Sequence, residues 1–365
     1  MSPLGELLAR RIRIAGPITV AEYMAEALGH PQYGYYKQGD PFGLAGDFIT
    51  APEISQVFGE LLGAWCATAW QAIGRPAVRL VELGPGRGTL MADALRGTRN
   101  VPGFHAAVDL HMVETSPYLR GRQAETLRQA APAIVPYWHD TFDQVPDGPL
   151  LLVTNELFDA LPIHQFEFQG GRWLERVIDV DGSGGLAFAL RPPGAAFALM
   201  APPQPARQGL VVETCPAGIA LAAAIGRRVA AHGGAALIVD YGHDGTGSGD
   251  SLQAVRRHRK HGVLTEPGTA DLAAHVDFGA LARAAREAGA AVYGPIAQNT
   301  LLERLGIKLR AAMLERNATP AQAADIRTAT ERLLHLEQMG TLFKALAIAA
   351  PPPPTPPGFD QPPAA

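Results

Sequence analysis

Cysteine is nearly absent, with two in 365 residues, Cys66 and Cys215. Two distant thiols exclude a disulfide framework and fit a reducing compartment in which both are ordinary buried side chains. No His/Cys grouping has metal-ligand spacing, so no metal is expected. No apolar run approaches the roughly 20 residues of a membrane span, and the N-terminus lacks the apolar stretch of a secretory signal. Arg10, Arg11 and Arg13 lie near the start, but Glu6 and Glu22 argue against a transit peptide. Basic excess is missing too: 31 Lys and Arg stand against 35 Asp and Glu, a formal net charge of −4. That argues against a nucleic-acid partner. The densest basic run, Arg256 to His261, reads as a solvated loop or helix face. Usage rich in Ala, Arg, Gly and Pro suggests a bacterial cytoplasmic protein.

What is present is hydrophobic mass, 47% of residues, enough for a large core in one domain or two. The chain is organised around Val78–Thr89, VRLVELGPGRGT. An apolar run ends at Glu82 and Leu83, glycines fall at Gly84, Gly86 and Gly88, and a helical pattern follows. This is a strand, a glycine turn and a helix start, the first half of a βαβ unit. The helix N-terminus offers unpaired N–H groups to a negatively charged ligand group. Dinucleotide sites usually read G-x-G-x-x-G; here the spacing is G-x-G-x-G. A second apolar run, Val108–Val113, ends in Glu114, placed to hold ribose hydroxyls. Glu82, the three glycines and Glu114 together resemble the S-adenosylmethionine (SAM) site of class I methyltransferases. The plain alternative is a strand-to-helix turn with spare glycines.

In chain order, Leu4–Ile14 reads as a helix, and Thr19 with Glu22 has capping-box spacing for a second helix stopped by Gly29. Gly39–Pro52 is a glycine-rich loop carrying Asp40 and Asp47. Glu53–Ile73 reads as one helix. Strands are expected at Val78–Leu83, Val108–Val113, Ile134–Trp138, Leu150–Thr154 and Ala235–Asp240, with helices at Thr89–Leu95, Pro117–Ala130 and Pro216–His232. Continuous apolar strands separated by helices predict a parallel sheet covered on both faces. His164–Leu190 alternates like a β-hairpin insertion, and Ser251–Ala274 looks irregular. Asp277–Gly289 reads as a helix, Ala290–Val292 as a strand, Leu301–Leu334 as a helical arm and Leu342–Ala349 as the last strand. Pro351–Ala365 has the composition of a disordered tail.

Seven stretches then point to one family: Gly46–Gly63, Val81–Asp93, Asn155–Phe166 (NELFDALPIHQF), Leu237–His243 (LIVDYGH), Gly249–Val255, Glu266–Phe278 (EPGTADLAAHVDF) and Met339–Ala347. In this order they resemble the MidA-like SAM-dependent methyltransferases, over about Leu7 to Ile348. The family's Asn-Glu-Phe-Phe-Asp stands here as Asn155-Glu-Leu-Phe-Asp159. The resemblance implies an α/β fold, a class I (Rossmann-like) methyltransferase sheet with an N-terminal helical cap and a helical/β insertion. The expected division is 1–76 for the cap and a lid loop and 77–350 for the methyltransferase domain, with the hairpin insertion at about 163–205 and the arm at about 297–336. A tail of 351–365 would follow. The implied function is methylation of a protein arginine, on the large hydrogenase-like subunit of respiratory complex I, in support of its assembly. Alternatives are a SAM-binding assembly chaperone, a methyltransferase for another protein or a small molecule, and a nicotinamide oxidoreductase, which the compressed glycine spacing disfavours.

Methyl transfer needs little covalent help, because the sulfonium is already activated; the acceptor nitrogen must sit in line at about 3–3.5 Å. A guanidinium is always protonated at neutral pH, so carboxylates must orient it and offset its charge. Glu156 and Asp159, following the Leu150–Thr154 strand, are the catalytic candidates; their plain alternative is helix capping. Cofactor-side candidates are Asp47, Glu53, Glu82, Gly84, Gly86, Gly88, Glu114, Asp140 and Asn155. Asp140 would meet the adenine amine; Asp47 and Glu53 belong to the loop that the family folds over the cofactor. His275, near Asp277, reads as structural.

Overall fold

A computed structural model of the chain describes residues 2–37, 50–199, 205–245, 247, 249–351 and 354–360. The chain folds as two compact units, both discontinuous. The larger comprises Ile49–Leu157, Leu221–His243 and Phe278–Ala365; the smaller comprises Met1–Phe48, Phe158–Ala220 and Asp244–Asp277. This differs from the expected cap, domain and tail, because the N-terminal helices share one core with the β insertion.

In the larger unit the strands are β1 (Val78–Leu83), β2 (Val108–Val113), β3 (Tyr137–His139), β4 (Leu150–Asn155), β5 (Gly234–His243), β6 (Ala291–Ala297) and β7 (Phe343–Ala349). They lie in the order β3-β2-β1-β4-β5-β7-β6. β1 to β5 are mutually parallel, and β7 runs antiparallel to both β5 and β6. Leu150 to Val153 and Ala236 to Val239 are fully buried, which is why these strands are continuously apolar. The third strand is shorter than expected and starts at Tyr137, since Pro132 and Pro136 cannot donate to a ladder.

Helices α1 (Gln56–Ala72), α2 (Thr89–Thr98) and α3 (Pro117–Ala130) belong to the same unit. The single helix expected over Glu53–Ile73 is broken. A one-turn helix spans Ala51–Ile54, Ser55 is extended, and its Oγ accepts from the Val57 N–H (3.2 Å) to cap α1. α1 and α2 approach closely: a Cβ on Gly63 would lie 2.5 Å from the Ala94 carbonyl oxygen, and one on Gly59 would lie 2.6 Å from Asp93 Cβ. The helical arm is three helices, Gln298–Arg304, Ile307–Glu315 and Pro320–Leu334, punctuated by Gly306 in the left-handed region (φ 88°) and by Pro320. Residues 354–360 are packed rather than disordered. Phe359 is buried and Trp65 Nε1 donates to the Pro357 carbonyl (3.1 Å), an anchor that composition alone hides.

The smaller unit packs Pro3–Ala15 and Val20–Gly29 with two small sheets. Thr19 and Glu22 do form the capping box. One sheet runs in the order Ile18–Thr19, Arg172–Val180, His164–Gln169, Val211–Thr214, with Leu186–Arg191 also on the Arg172–Val180 strand. The other has the order Arg259–His261, Gln253–Arg256, Asp271–Ala273. Leu8, Ile12, Tyr23 and Met24 share a core with Ile163, Ile178, Leu252 and Leu272. The Ser251–Ala274 stretch is thus a sheet, not irregular chain; strands of three or four residues are too short to show a period. Cys66 is buried and Cys215 only partly so; burial pushes their thiols up to about 12 and about 11.

Candidate active site

Strand order reverses direction between β1 and β4, and open α/β sheets bind ligands beyond the strand carboxyl ends at such a point. The glycine turn leaves β1 there. Gly84, Gly86 and Gly88 have φ of 64°, 53° and 80°, the region only glycine enters freely. A Cβ on Gly84 would lie 2.9 Å from Leu157 Cδ1, and one on Gly88 would lie 3.3 Å from Gln123 Cα. α2 begins at Thr89 with Gly88 as a cap that has no side chain, so no side chain of its own covers the helix N-terminus.

Two buried acceptors lie on one face of the sheet at this edge. Glu82 Oε2 and Asn155 Oδ1, on strands paired in register, have no hydrogen-bond partner among the described residues. Orphaned buried acceptors are rare, and a polar ligand that binds there is one reason for them. A ligand ammonium and hydroxyls would satisfy such a set, so the residues present fit SAM. Glu82 is 2% exposed and accepts the Met91 N–H; burial pushes its carboxyl up to about 8.

Glu114 ends β2 as expected. Its Oε1 accepts the Ser116 N–H (2.7 Å) and its Oε2 accepts from Gln123 Nε2 (3.3 Å). Gln123 was not singled out by sequence, yet it is fully buried and ties three parts together. Its Nε2 also donates to the Gly86 carbonyl (2.8 Å), and its Oε1 accepts from Trp138 Nε1 (2.7 Å). One signal was available: Gln123 stands four residues from both Leu119 and Leu127, on the buried stripe of α3. Asp140 follows β3, but its carboxylate is largely exposed and pairs with Arg120 (2.7 Å). Glu53 reaches the glycine turn: its Oε1 accepts from Thr89 Oγ1 (2.5 Å) and its Oε2 lies 3.4 Å from Arg87. Asp47 and residues 39–49 of the expected lid loop, Gly39–Pro52, lie outside the described residues.

At the end of β4, Glu156 adopts φ 51°, a strained conformation for a non-glycine residue. It is held from several sides. Its N–H donates to the Val239 carbonyl (3.0 Å), and its Oε1 accepts the Ala51 N–H (3.0 Å) and Asn155 Nδ2 (2.9 Å). Burial raises its carboxyl above the ordinary value, against those two donors. Asp240 stabilises the turn from β5: the fully buried carboxylate accepts the Leu157 N–H (3.1 Å) and the Tyr241 N–H (2.9 Å). Asp240 also went unassigned in the sequence, although an acid closing the apolar run LIVD was visible. The chain leaves the larger unit at Leu157, so Glu156 belongs to the larger unit and Asp159 to the smaller. There Asp159 is buried, and its charge and that of Asp271 act with burial to push up the Tyr36 phenol, which donates to Asp271 (2.9 Å). The His275 N–H donates to Ser251 Oγ (2.8 Å). Among the described residues no group of three His, Cys, Asp or Glu could hold a metal, and no helix is long and apolar enough to cross a membrane.

Residues 61–296 match the Methyltransf_28 family model, of S-adenosyl-L-methionine-dependent methyltransferases. The chain belongs to this family. Curated relatives carry the name protein arginine methyltransferase NDUFAF7, mitochondrial. The mouse protein is 40% identical over 95% of this chain and 84% of its own length. The human protein is 38% identical over 95% and 83%, and the zebrafish protein 39% identical over 93% and 85%. A COG1565 superfamily member from Burkholderia thailandensis, bound to S-adenosyl-homocysteine, superposes with a TM-score of 0.83 at 31% identity, covering 98% of this chain and 92% of that one. The sheet is therefore a Rossmann-like methyltransferase sheet, and the protein is a SAM-dependent methyltransferase.

When bound, SAM supplies an activated methyl carbon; what remains for the protein is positioning and electrostatics. The glycine turn would let backbone approach the ligand, Glu114 would offer an acceptor to ribose hydroxyls, and Asn155 Oδ1 would offer one to an ammonium. Gln123 ties the glycine turn to Glu114 through its one amide nitrogen. The Glu156 carboxylate is oriented by two N–H donors.

Proposed function

We propose that this methyltransferase modifies an arginine of a protein, and that the protein is the large hydrogenase-like subunit of respiratory complex I, methylated in support of assembly. The observation that carries the reading is identity of 38–40% over 93–95% of the chain with relatives named protein arginine methyltransferases. The chemistry agrees with it. A guanidinium beside a sulfonium needs a carboxylate to offset its charge and turn one nitrogen toward the methyl group. Glu156 is that carboxylate in this proposal, with Asp159 as the second orienting acid. Asp47, Glu53, Glu82, the three glycines, Glu114, Asp140 and Asn155 serve the cofactor. The compartment is the cytoplasm if the source is bacterial, and the mitochondrial matrix if it is eukaryotic.

Glu156→Gln keeps an oxygen for the Ala51 N–H but removes the charge, and Asp159→Asn does the same for the second acid. Lost orientation plus one charged hydrogen bond raises the barrier by about 2–4 kcal/mol, a factor of about 30 to 1,000. SAM affinity by calorimetry should stay within a few-fold while single-turnover methylation of the subunit, read by mass spectrometry, falls by that factor. Equal loss of both would move these residues to the cofactor, and full turnover would remove them from the mechanism.

A further inference from the structure

The densest basic run of the chain is not a featureless loop. Gln253–Arg256 and Arg259–His261 pair antiparallel, with Arg256 opposite Arg259 and Val255 opposite Lys260. The two-residue connection is Arg257 and His258, with φ of 52° and 59°. Positive φ at both positions marks the tight hairpin turn that normally uses Asn-Gly. Arg and His adopt it only against their conformational preference. A solvated loop has no need of that strain, and its effect is to hold basic side chains at a fixed tip. Arg257, His258, Arg259 and Lys260 are all exposed. Arg256 is drawn into an ion pair with Glu266 (2.6 Å), whereas Arg259 and Lys260 have no carboxylate in ion-pair range among the described residues. The base is anchored, since Ala254 and Leu272 are buried in the core of the smaller unit. Among the described residues, the order of the three-stranded sheet leaves Arg259–His261 as an outer strand, one edge of its backbone unpaired by the sheet.

We propose that this hairpin docks an extended acidic segment of the protein substrate, which adds to the Arg259–His261 edge as a strand and sets its carboxylates against Arg259 and Lys260. Strand addition uses backbone hydrogen bonds for affinity and alternate side chains for selection. Basic side chains on the edge reject neutral and basic strands, including a second copy of the hairpin, and accept an acidic one. A nucleic-acid groove would interleave aromatic side chains with the basic ones, and a membrane-surface element would set Trp, Phe or Leu beside them. The run from Arg256 to His261 holds neither. The inference rests on the reading that the substrate is a protein.

The probe is a fluorescein-labelled octapeptide alternating Glu and Val, followed by anisotropy with the full chain in the absence of SAM. Comparators are the Lys/Val octapeptide, a single-stranded RNA of U residues and phosphatidylserine vesicles. The acidic peptide should bind best, weaken as salt rises from 50 to 200 mM, and lose about tenfold in affinity in the R259S/K260S variant. R257N/H258G suits the turn better than the native pair, so it should fold and still bind more weakly. With the substrate subunit, the R259S/K260S variant should raise KM about tenfold at unchanged kcat. Equal binding of the Glu and Lys peptides, an unaltered KM, or tighter binding of RNA or vesicles would overturn the docking proposal. Failure to methylate any protein with peptide binding intact would overturn the arginine reading instead.

Discussion

Glu82 offers a sharp test of this sheet edge, because among the described residues its carboxyl has no cation beside it. It is 2% exposed, accepts the Met91 N–H, and has its second oxygen without a partner among the described residues. Burial disfavours the charged form and pushes the pKa from 4.5 up to about 8, so the ligand-free protein carries a proton there at neutral pH. The sign follows from linkage. A group that is more basic when folded contributes stability in full below its unfolded pKa and loses it as pH rises through the folded one. The window is therefore pH 4.5 to 8. The slope is about 1.4 kcal/mol per pH unit, and the ceiling over the window is about 5 kcal/mol. Relaxation in an interior of effective dielectric ~20 brings this to about 2–3 kcal/mol. Glu82→Gln is an isostere of the protonated acid: it keeps an acceptor for the Met91 N–H and does not titrate. Its amide nitrogen, however, has no acceptor, a penalty of about 1 kcal/mol. Urea unfolding without SAM at pH 5, 6, 7 and 8 should thus show curves that cross. The variant is about 1 kcal/mol less stable at pH 5 and about 1–2 kcal/mol more stable at pH 8. A difference between wild type and variant that stays constant from pH 5 to 8 would refute the buried neutral acid.

Gly86→Val places a β-branched residue at φ 53° in the turn, and calorimetry should show SAM binding abolished while the far-ultraviolet circular dichroism stays native; normal affinity would remove the turn from the cofactor site. Gly63→Ala puts a Cβ 2.5 Å from the Ala94 backbone oxygen, which forces α1 and α2 apart and should lower unfolding free energy by about 2–3 kcal/mol in urea titrations. An effect under about 0.5 kcal/mol would mean that the helices are not held at that spacing.

Much of this protein was readable in its residues because its signals are local. VRLVELGPGRGT announces a strand, a turn that demands positive φ and a helix start within 12 residues, and the structure shows φ of 64°, 53° and 80° at its glycines. Glu114 and Asn155 are marked by apolar runs that stop at an acid or amide, and those runs became β2 and β4. Tertiary structure decided what depends on partners far along the chain. The antiparallel β7 between β5 and β6 is set by pairings that join Ala235 to Ala349 and Ala291 to Ala349, invisible to any window of sequence. Gln123 looks like a surface residue of a polar helix until the fold brings Gly86, Glu114 and Trp138 to its one amide. Asp140 ends a strand as an adenine ligand would, and only the fold shows that Arg120 comes 2.7 Å from its carboxylate. The basic run had the composition of a solvated loop, and only cross-strand pairing made it a hairpin with a strained tip. Periodicity and turn chemistry are written within a few residues of where they act; the satisfaction of a buried or charged group is a property of whatever chain folds back to meet it.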